Sequence, residues 1–255
     1  LGRDPGSPLR VWLKIDTGMH RLGFDPEAFK AAYATLQSWS NVHPEIVCMS
    51  HFAASEDLQG QVTARQMACF AETVAACPGA HSLSNSAAVL NWPTAHGQWL
   101  RAGGALYGLT LAPEPGSAAY GLQPAMTLST RLISVKTVKK GERVGYSGMY
   151  ECPEDMPVGV AAVGYGDGYP RHVKQETPVL LNGRRVPIIG RVSMDLMTLD
   201  LRTQPDAKVG DSVVLWGQGL PIEEIAMAAE TISYELTCSI TRRVRFADEA
   251  LFTPE

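Results

Sequence analysis

The stretch VWLKIDTGMHRLGFDPEAFKAAYATLQ, residues 11–37, contains a short apolar run followed by a pattern typical of a helix. The same order recurs along the first 108 residues of the chain. The predicted strands are 11–15, 46–51, 81–86 and 99–108, and the predicted helices cover about 25–38, about 60–77 and a short piece after residue 86. Such alternation of strands and helices predicts a parallel sheet.

Four strand–helix units fit half of a (β/α)₈ barrel, because a whole barrel takes roughly 250 residues. We therefore expect residues 1–113 to form the last four units of such a barrel, with open edges. The segment APEPGSAAYGLQP, residues 112–124, is rich in proline, glycine and alanine, which is typical of a domain linker. The chain opens on LGRDPGSPLR, without methionine and directly upstream of a strand, and we interpret this start as a cut.

From about residue 120 onward the pattern changes to strands separated by glycine, proline and Asn-Gly turns. The clearest example is TPVLLNGRRVPIIGRVSMDLMTLDL, residues 177–201. Asn-Gly between two apolar runs is a strong signal of a β-hairpin. We expect residues 114–255 to form an antiparallel β-domain, so the fold class is α/β plus β.

Composition favours a globular protein that binds a small molecule. The 255 residues are 45% hydrophobic with a net charge of −4, and the basic residues are scattered, so neither nucleic acid nor a membrane is an expected partner. The five cysteines show no metal-ligand spacing, which predicts reduced thiols in the cytoplasm and no metal site. No run of 18 apolar residues is present.

Chemistry in a barrel gathers where the strands end, so the residues that follow each predicted strand are the first candidates. Arg21 is either a clamp for a carboxylate or a surface residue after a turn. His51 is either a catalyst or a structural histidine, and Ser86 could simply cap a helix. Arg101 is followed by the pair Gly103 and Gly104, and together with Ser86 these glycines favour a phosphorylated ligand.

The β-domain offers a second group of polar candidates. Val-Gly-Tyr occurs twice and places Tyr146 and Tyr165 after glycine. We expect Met194 and Asp195 to lie within a strand, where aspartate is uncommon. Tyr234 could be a buried aromatic residue. The phrase GYGDGYPR is not a phosphate loop of the P-loop type, because the required lysine and helix do not follow.

Taken together, these phrases resemble the alanine racemase family, pyridoxal-phosphate (PLP) enzymes with a barrel and a C-terminal β-domain. The matching phrases are KIDTGMHRLGF, MSHFA, NSAA, RAGGALYG, VGYSGMY, VGYGDGYPR and GRVSMD, in one order along nearly the whole chain. The resemblance implies racemisation of alanine, a cytoplasmic homodimer whose active site is shared between subunits, and the supply of D-alanine.

The resemblance also implies a role for each candidate residue. Tyr146, His51 and Arg101 are implied as catalytic; Ser86, Arg101, Gly103, Gly104 and Tyr234 as cofactor-binding; Arg21, Met194, Tyr165 and Asp195 as substrate-binding; and Lys14 as a carbamylated lysine. Racemisation removes a proton from Cα on one face and returns it on the other, so two groups must flank that carbon. A phenol is a weak base at neutral pH unless positive charge favours the phenolate, and the expected sources are His51 and Arg101.

One family feature has no counterpart among these residues. The lysine that bonds PLP lies in a phrase like Val-x-Lys-Ala-x-Ala-Tyr-Gly, and none of the seven lysines lies in such a phrase. We therefore expect this chain to need a separate N-terminal segment for activity. Two alternatives stay open: a catalytically incompetent fragment that binds PLP or a partner chain, and a racemase for serine or another amino acid.

Overall fold

A computed structural model describes residues 7–110 and 116–247 of the chain. The chain divides into two units, Leu1–Leu106 and Tyr107–Glu255. The predicted boundary between residues 113 and 114 lies outside the described residues.

The first unit consists of short parallel strands connected by helices. Its elements are β1 (Trp12–Lys14), α1 (Pro26–Gln37), β2 (Val47–Met49), α2 (Val62–Val74), β3 (His81–Ser82), α3 (Ser86–Asn91) and α4 (Gly103–Leu106). The strands pair in the order β1-β2-β3, and both pairings are parallel. This confirms the predicted parallel sheet. The assignment of these strands to the last half of a (β/α)₈ barrel is not confirmed and stays a prediction.

Helix α1 shows why the sequence folds as predicted here. The Asp25 carboxylate caps the helix by accepting hydrogen bonds from the amides of Glu27 and Ala28, and Pro26 occupies the first turn. Phe29 and Tyr33, four residues apart, share one face and are buried. They pack with Leu13 and Ile15 of the first strand region in the core of this unit.

The prediction of a fourth strand over 99–108 is wrong. The structure has only an isolated parallel bridge between Asn85 and Arg101, and helix α4 begins at Gly103. This segment makes few backbone hydrogen bonds to the neighbouring strand. The Trp99 N–H donates to the His81 carbonyl, and the Arg101 N–H donates to the Ser84 carbonyl. Because β3 is only two residues long, there is no continuous ladder for a fourth strand to extend.

The second unit is a closed barrel of antiparallel strands. Its elements are β4 (Leu128–Val138), β5 (Arg143–Val144), β6 (Tyr150–Glu151), β7 (Met156–Ala161), β8 (Pro178–Leu181), β9 (Arg184–Ile189), β10 (Met197–Asp200), β11 (Ser212–Trp216), α5 (Ile222–Ala228) and α6 (Ser233–Ser239). The barrel order is β10-β7-β4-β11-β8-β9, and β5 pairs with β6 outside it. The antiparallel pairing was predicted; the closure and the two helices were not.

The hairpin between β8 and β9 turns at Asn182 and Gly183, as the Asn-Gly signal predicts. Both residues have positive φ, 48° and 77°, which suits the tight turn of a two-residue hairpin. The core of the barrel contains Trp216 and Tyr169, which are buried and stacked with 5.7 Å between ring centroids. Val163 and Val192, which precede the Tyr165 turn and the Met194 loop, belong to this core.

The prediction that Met194 and Asp195 lie within a strand is also wrong. Strand β9 ends at Ile189 and β10 begins at Met197, so both residues lie in the connecting loop. Gly190, with φ of 69°, directs the chain away from the ladder. Loops tolerate aspartate and expose side chains to ligands more readily than strands do.

Within residues 7–110 and 116–247, none of the helices is long and apolar enough to cross a membrane. No group of three or more His, Cys, Asp or Glu side chains within these ranges could hold a metal ion. All five cysteines fall in the described segments, and each is a free thiol.

Candidate active site

Four of the predicted site residues meet at the carboxyl ends of the strands in the first unit. Lys14 ends β1, and His51 follows β2 by two residues. Electrostatic coupling links Lys14 to both Arg101 and Arg21, and it links His51 to all three cations. Because the carboxyl ends of parallel strands meet at one edge of a sheet, residues far apart in sequence come together here.

Arg101 is held by the ends of two strands. Its Nη1 donates to the Ser82 carbonyl at 2.9 Å and to the Ser82 hydroxyl at 2.5 Å. Its Nη2 donates to the carbonyls of Ser50 and Leu83 at 2.6 and 3.1 Å and to His51 Nδ1 at 3.2 Å. The guanidinium is therefore fixed in one orientation. Among the described residues, no hydrogen-bond acceptor meets its Nε–H.

The contact with Arg101 determines the tautomer of His51. A guanidinium only donates, so Nδ1 of His51 must accept and the ring proton must lie on Nε2. Burial, followed by the charges of Arg101, Lys14 and Arg21, lowers the pKa of His51 to about 4. His51 is thus a neutral imidazole at physiological pH, and its Nε2–H is a donor.

Lys14 lies in unfavourable surroundings for an ammonium ion. Burial lowers the pKa of Lys14, and the charges of Arg101 and Arg21 lower it further. In the described parts of the chain, Lys14, Arg21 and Arg101 form no ion pair with a carboxylate. This excess of positive charge, which Asp16 offsets only in part, favours an anionic ligand or an anionic modification of the amine.

Arg21 lies on a loop that Asp16 organises. The Asp16 Oδ1 atom accepts hydrogen bonds from the backbone N–H groups of Gly18, Met19 and His20 at 3.0, 3.1 and 3.0 Å. The loop then returns to the end of β1, where the Phe24 N–H donates to the Lys14 carbonyl at 2.9 Å. Arg21 is exposed, so its guanidinium is accessible to a ligand.

Ser86 and the glycine pair also lie side by side. Asn85 caps α3 by accepting from the Ala88 N–H, which places Ser86 in the first turn. The Ser86 side chain is 5% exposed and accepts from the Ala105 N–H at 3.1 Å. A Cβ added at Gly103 would meet nothing within 4 Å, so open space lies beside its backbone. This arrangement of hydroxyl and amide groups suits phosphate oxygens.

Tyr146 lies on a strained turn in the second unit. Gly145, Ser147 and Gly148 all have positive φ, and Ser147 at 60° is a side-chain residue in a region that favours glycine. The turn leaves Tyr146 65% exposed. Strain of this kind is often kept at functional sites because it aims a side chain.

Tyr165 lies against the loop that carries Met194 and Asp195. The Tyr165 N–H donates to the Ser193 carbonyl at 3.0 Å, and the Gly166 N–H donates to the Met194 carbonyl at 2.8 Å. The structure thus brings together three residues that the resemblance assigns to substrate binding. Their roles stay predictions.

Tyr234, the remaining candidate, is half-buried in α6. It lies in the second unit, whereas the other cofactor-binding candidates lie in the first. Its assignment to the cofactor phosphate is a prediction.

Sequence reasoning missed several residues that hold the candidates in place. Ser50 and Ser82 fix Arg101, and both are buried. Arg191 donates to the Met149 sulfur at 2.9 and 3.1 Å beside the Tyr146 turn. Buried serines in apolar runs were a visible signal, whereas nothing in the sequence marks the partner of Arg191.

Models of two domains match the chain, one to each part. The alanine racemase N-terminal domain matches residues 1–111, and the alanine racemase C-terminal domain matches residues 125–247. An alanine racemase of Nitrosococcus oceani is 52% identical over 238 residues, which is 93% of this chain and 67% of the relative. An alanine racemase of Shewanella oneidensis is 48% identical over 237 residues, covering 93% of this chain and 66% of the relative.

Solved structures agree with these sequence matches. The biosynthetic alanine racemase of Pseudomonas aeruginosa is 45% identical with a TM-score of 0.91, over 95% of this chain and 68% of that one. An alanine racemase of Bacillus anthracis with bound L-Ala-P is 29% identical with a TM-score of 0.78, over 94% and 64% of the two chains. The chain spans about two thirds of the length of the curated relatives that it matches. It belongs to the alanine racemase family.

Proposed function

We propose that this chain belongs to an enzyme that interconverts L- and D-alanine with PLP. The observation that carries the proposal is the neutral His51 bonded to Arg101 within a group of unpaired cations. Such a group binds anions, and both the phosphate of PLP and the carboxylate of an amino acid are anions. Family membership supports the same reaction.

The residues present fit PLP. Ser86, Gly103, Gly104 and Tyr234 would hold the phosphate, and Arg101 would hold the pyridine nitrogen through its remaining Nε–H donor. The side-chain oxygen of Ser86 and the open space beside Gly103 match the needs of a phosphate group. PLP, when bound, withdraws electrons from the bonds at Cα of the amino acid and so makes the Cα proton acidic.

Arg101 suits racemisation in particular. A guanidinium keeps its protons at any physiological pH, so Arg101 donates a hydrogen bond without transferring a proton. Electron withdrawal from Cα is then weaker than an acidic partner would allow. Limited withdrawal favours quick return of the proton to Cα over side reactions.

Tyr146 is proposed to move the Cα proton on one face of the substrate. In the proposed homodimer, His51 would hold the phenolate oxygen of a Tyr146 presented by the other subunit, donating from Nε2 because its Nδ1 already accepts from Arg101. The fixed tautomer thus connects the positive charge of Arg101 to the proton carrier. A second group must act on the opposite face, and the family assigns this task to a lysine that none of the seven lysines here resembles.

Arg21 and the Met194 backbone are proposed to bind the substrate carboxylate, with Asp195 beside them and Tyr165 at the entrance. Lys14 is proposed to be carbamylated: its lowered pKa favours the neutral amine, whose nitrogen attacks CO₂ and releases a proton to solvent. The carbamate would be an anion next to Arg21 and would orient that side chain.

A homodimer with a shared active site belongs to the same proposal. Tyr146, Met149 and Met194 expose 65, 49 and 53% of their surface in the second unit. Exposed large side chains near a proposed site favour a partner that covers them. A cytoplasmic location, favoured by the free cysteines, remains part of the proposal.

The test is racemisation of L-alanine by the protein together with any N-terminal segment it requires, followed by circular dichroism. Loss of optical activity with alanine supports the proposal. Faster loss of optical activity with serine than with alanine would support the alternative in which serine is the substrate. PLP binding with no loss of optical activity for either amino acid would support the alternative of a binding module. It would contradict the proposed reaction.

The role of Tyr146 is tested by exchange of the Cα hydrogen with deuterium from the solvent. Tyr146→Phe should slow exchange for one enantiomer by roughly 10²- to 10⁴-fold, the usual value of a proton-transfer group. Tyr107→Phe removes a hydroxyl from another exposed tyrosine, one without a proposed role, and is the control. Equal exchange of both enantiomers in Tyr146→Phe would assign the proton transfer to a different residue.

A further inference from the structure

Three separate segments of the second unit meet beside Tyr165. They are the turn of Gly164–Gly168, the loop of Ser193–Leu196 and the segment of Thr241–Arg243 that follows α6. The Thr241 hydroxyl donates to the Gly166 carbonyl at 2.9 Å, and the Thr241 N–H donates to the Asp167 carbonyl at 3.1 Å. The last segment therefore lies directly on the Tyr165 turn.

The turn and the loop touch through their backbones. A Cβ added at Gly164 would fall against the carbonyl oxygens of Ser193 and Met194. A Cβ at Gly166 would fall against Nη1 of Arg243. Glycine is required at position 164 because backbone carbonyls approach it, whereas at Gly166 the neighbour is the arginine side chain, which lies against the turn.

Arg243 binds one carboxylate from each of the other two segments. Its Nη2 donates to Asp195 Oδ1 at 2.5 Å, and its Nε lies 3.5 Å from Asp167 Oδ1. The other oxygen of Asp167 accepts from the Gly164 N–H at 2.9 Å and so closes the Tyr165 turn. One guanidinium thus connects the residue after Met194 to the residue that shapes the turn.

The planar fork of arginine is suited to this task. Its nitrogens point in fixed directions and can serve two carboxylates at once, whereas a lysine ammonium is a single point of charge. In the described residues, Arg242 next to it forms no ion pair and no side-chain hydrogen bond. The connection is therefore specific to position 243 rather than a general effect of basic residues in this segment.

We infer that Arg243 is a positioning residue that keeps the Tyr165 turn and the Met194–Asp195 loop in one fixed arrangement. This inference rests on the proposed function where it concerns substrate. Tyr165 and the Met194 backbone are both assigned to the substrate, so loosening their connection weakens substrate binding. The chemical step, which Tyr146 and His51 perform, is affected less.

The test is amide hydrogen exchange by mass spectrometry on the native protein. In Arg243→Gln, peptides from the turn and from the loop should both exchange roughly three- to tenfold faster, since two charge-assisted contacts are lost. Arg242→Gln removes the neighbouring charge and should exchange like the parent. Faster exchange in only one segment, or equal exchange in both arginine variants, would overturn the inference.

A second variant covers the case in which Arg243→Gln does not fold. Arg243→Lys keeps the charge but loses the fork, and it should show intermediate exchange in both segments. Exchange in Arg243→Lys equal to the parent would show that charge alone suffices and would contradict the positioning role of the fork.

Kinetics supply the functional measurement. Arg243→Gln should raise the KM for alanine roughly three- to tenfold while kcat stays within about twofold, because ground-state and transition-state binding weaken together. A fall in kcat at unchanged KM would contradict the inference. If the parent does not racemise alanine, the proposed function fails, whereas hydrogen exchange still tests the connection made by Arg243.

Discussion

The Nη2 group of Arg101 donates a hydrogen bond to Nδ1 of His51 at 3.2 Å. The acceptor must be a neutral imidazole, because a protonated ring has no lone pair to offer. Protonation of His51 would therefore break this bond and add a fourth positive charge to Lys14, Arg21 and Arg101. The neutral state of His51 is part of the folded arrangement.

Stability should depend on pH through His51. The pKa of His51 is lowered from 6.5 to about 4 by burial and the nearby cations. Between these values the unfolded chain binds a proton that the folded chain does not. The free energy of unfolding contributed by this residue therefore falls as pH decreases from about 6.5 to about 4.

Urea denaturation at several pH values measures this effect. His51→Gln should flatten the slope of unfolding free energy against pH in that window. His172→Gln removes an exposed histidine and is the control. A slope in His51→Gln as steep as in the parent would show that other groups cause the acid sensitivity.

The sequence predicted the first two strands of the first unit to within two residues of their ends, because each is a local signal. Lys14 within an apolar run and His51 after one are visible without knowledge of the rest of the chain. The Asn182–Gly183 hairpin is predictable for the same reason, since the two residues alone determine the turn.

Long-range contacts explain what the sequence did not predict. The loop position of Met194 and Asp195 depends on where β9 ends at Gly190, and closure of the barrel depends on β10 pairing with both β7 and β9. The predicted fourth strand does not form because β3 is only two residues long. Such pairings involve residues far apart in sequence, which local patterns do not report.

Lys14 should bind CO₂. The lowered pKa of Lys14 raises the fraction of neutral amine, and the carbamate would reduce repulsion among three cations. Carbon-13 NMR with labelled bicarbonate should show one carbamate signal that disappears in Lys14→Arg. Lys136→Arg is the control, because Lys136 lies in β4 of the second unit. A signal that persists in Lys14→Arg would assign the carbamate elsewhere.

Gly103→Ala should separate stability from ligand binding. Nothing lies within 4 Å of an added Cβ, so the free energy of unfolding should change by no more than about 1 kcal/mol. If PLP phosphate occupies that space, its affinity should fall roughly five- to 150-fold, as a misfit of about 1–3 kcal/mol gives.

Gly97→Ala is the opposite case in the same unit. Its Cβ would fall against the backbone carbonyl of His81, so it should lower stability by about 1–3 kcal/mol. Denaturation and PLP titration of both variants give the comparison. Unchanged PLP affinity in Gly103→Ala would place the phosphate away from this glycine.

The seven lysines should not give a single specific bond to PLP. Lys30, Lys139 and Lys174 are exposed and paired with carboxylates, which favours the charged amine that cannot attack an aldehyde. Lys14 has the lowered pKa that such a bond needs, but the resemblance assigns it to the carboxylate side of the site, where carbamylation would block it.

Borohydride reduction of the 255-residue chain with PLP, followed by peptide mass mapping, tests this prediction. We expect labels of low occupancy spread over several lysines. The experiment is repeated with bicarbonate, which should lower any label on Lys14, and with Lys14→Arg as the matched variant. A single stoichiometric label on Lys14 that vanishes in Lys14→Arg would make it the PLP lysine of this chain and would overturn its assignment to the substrate carboxylate.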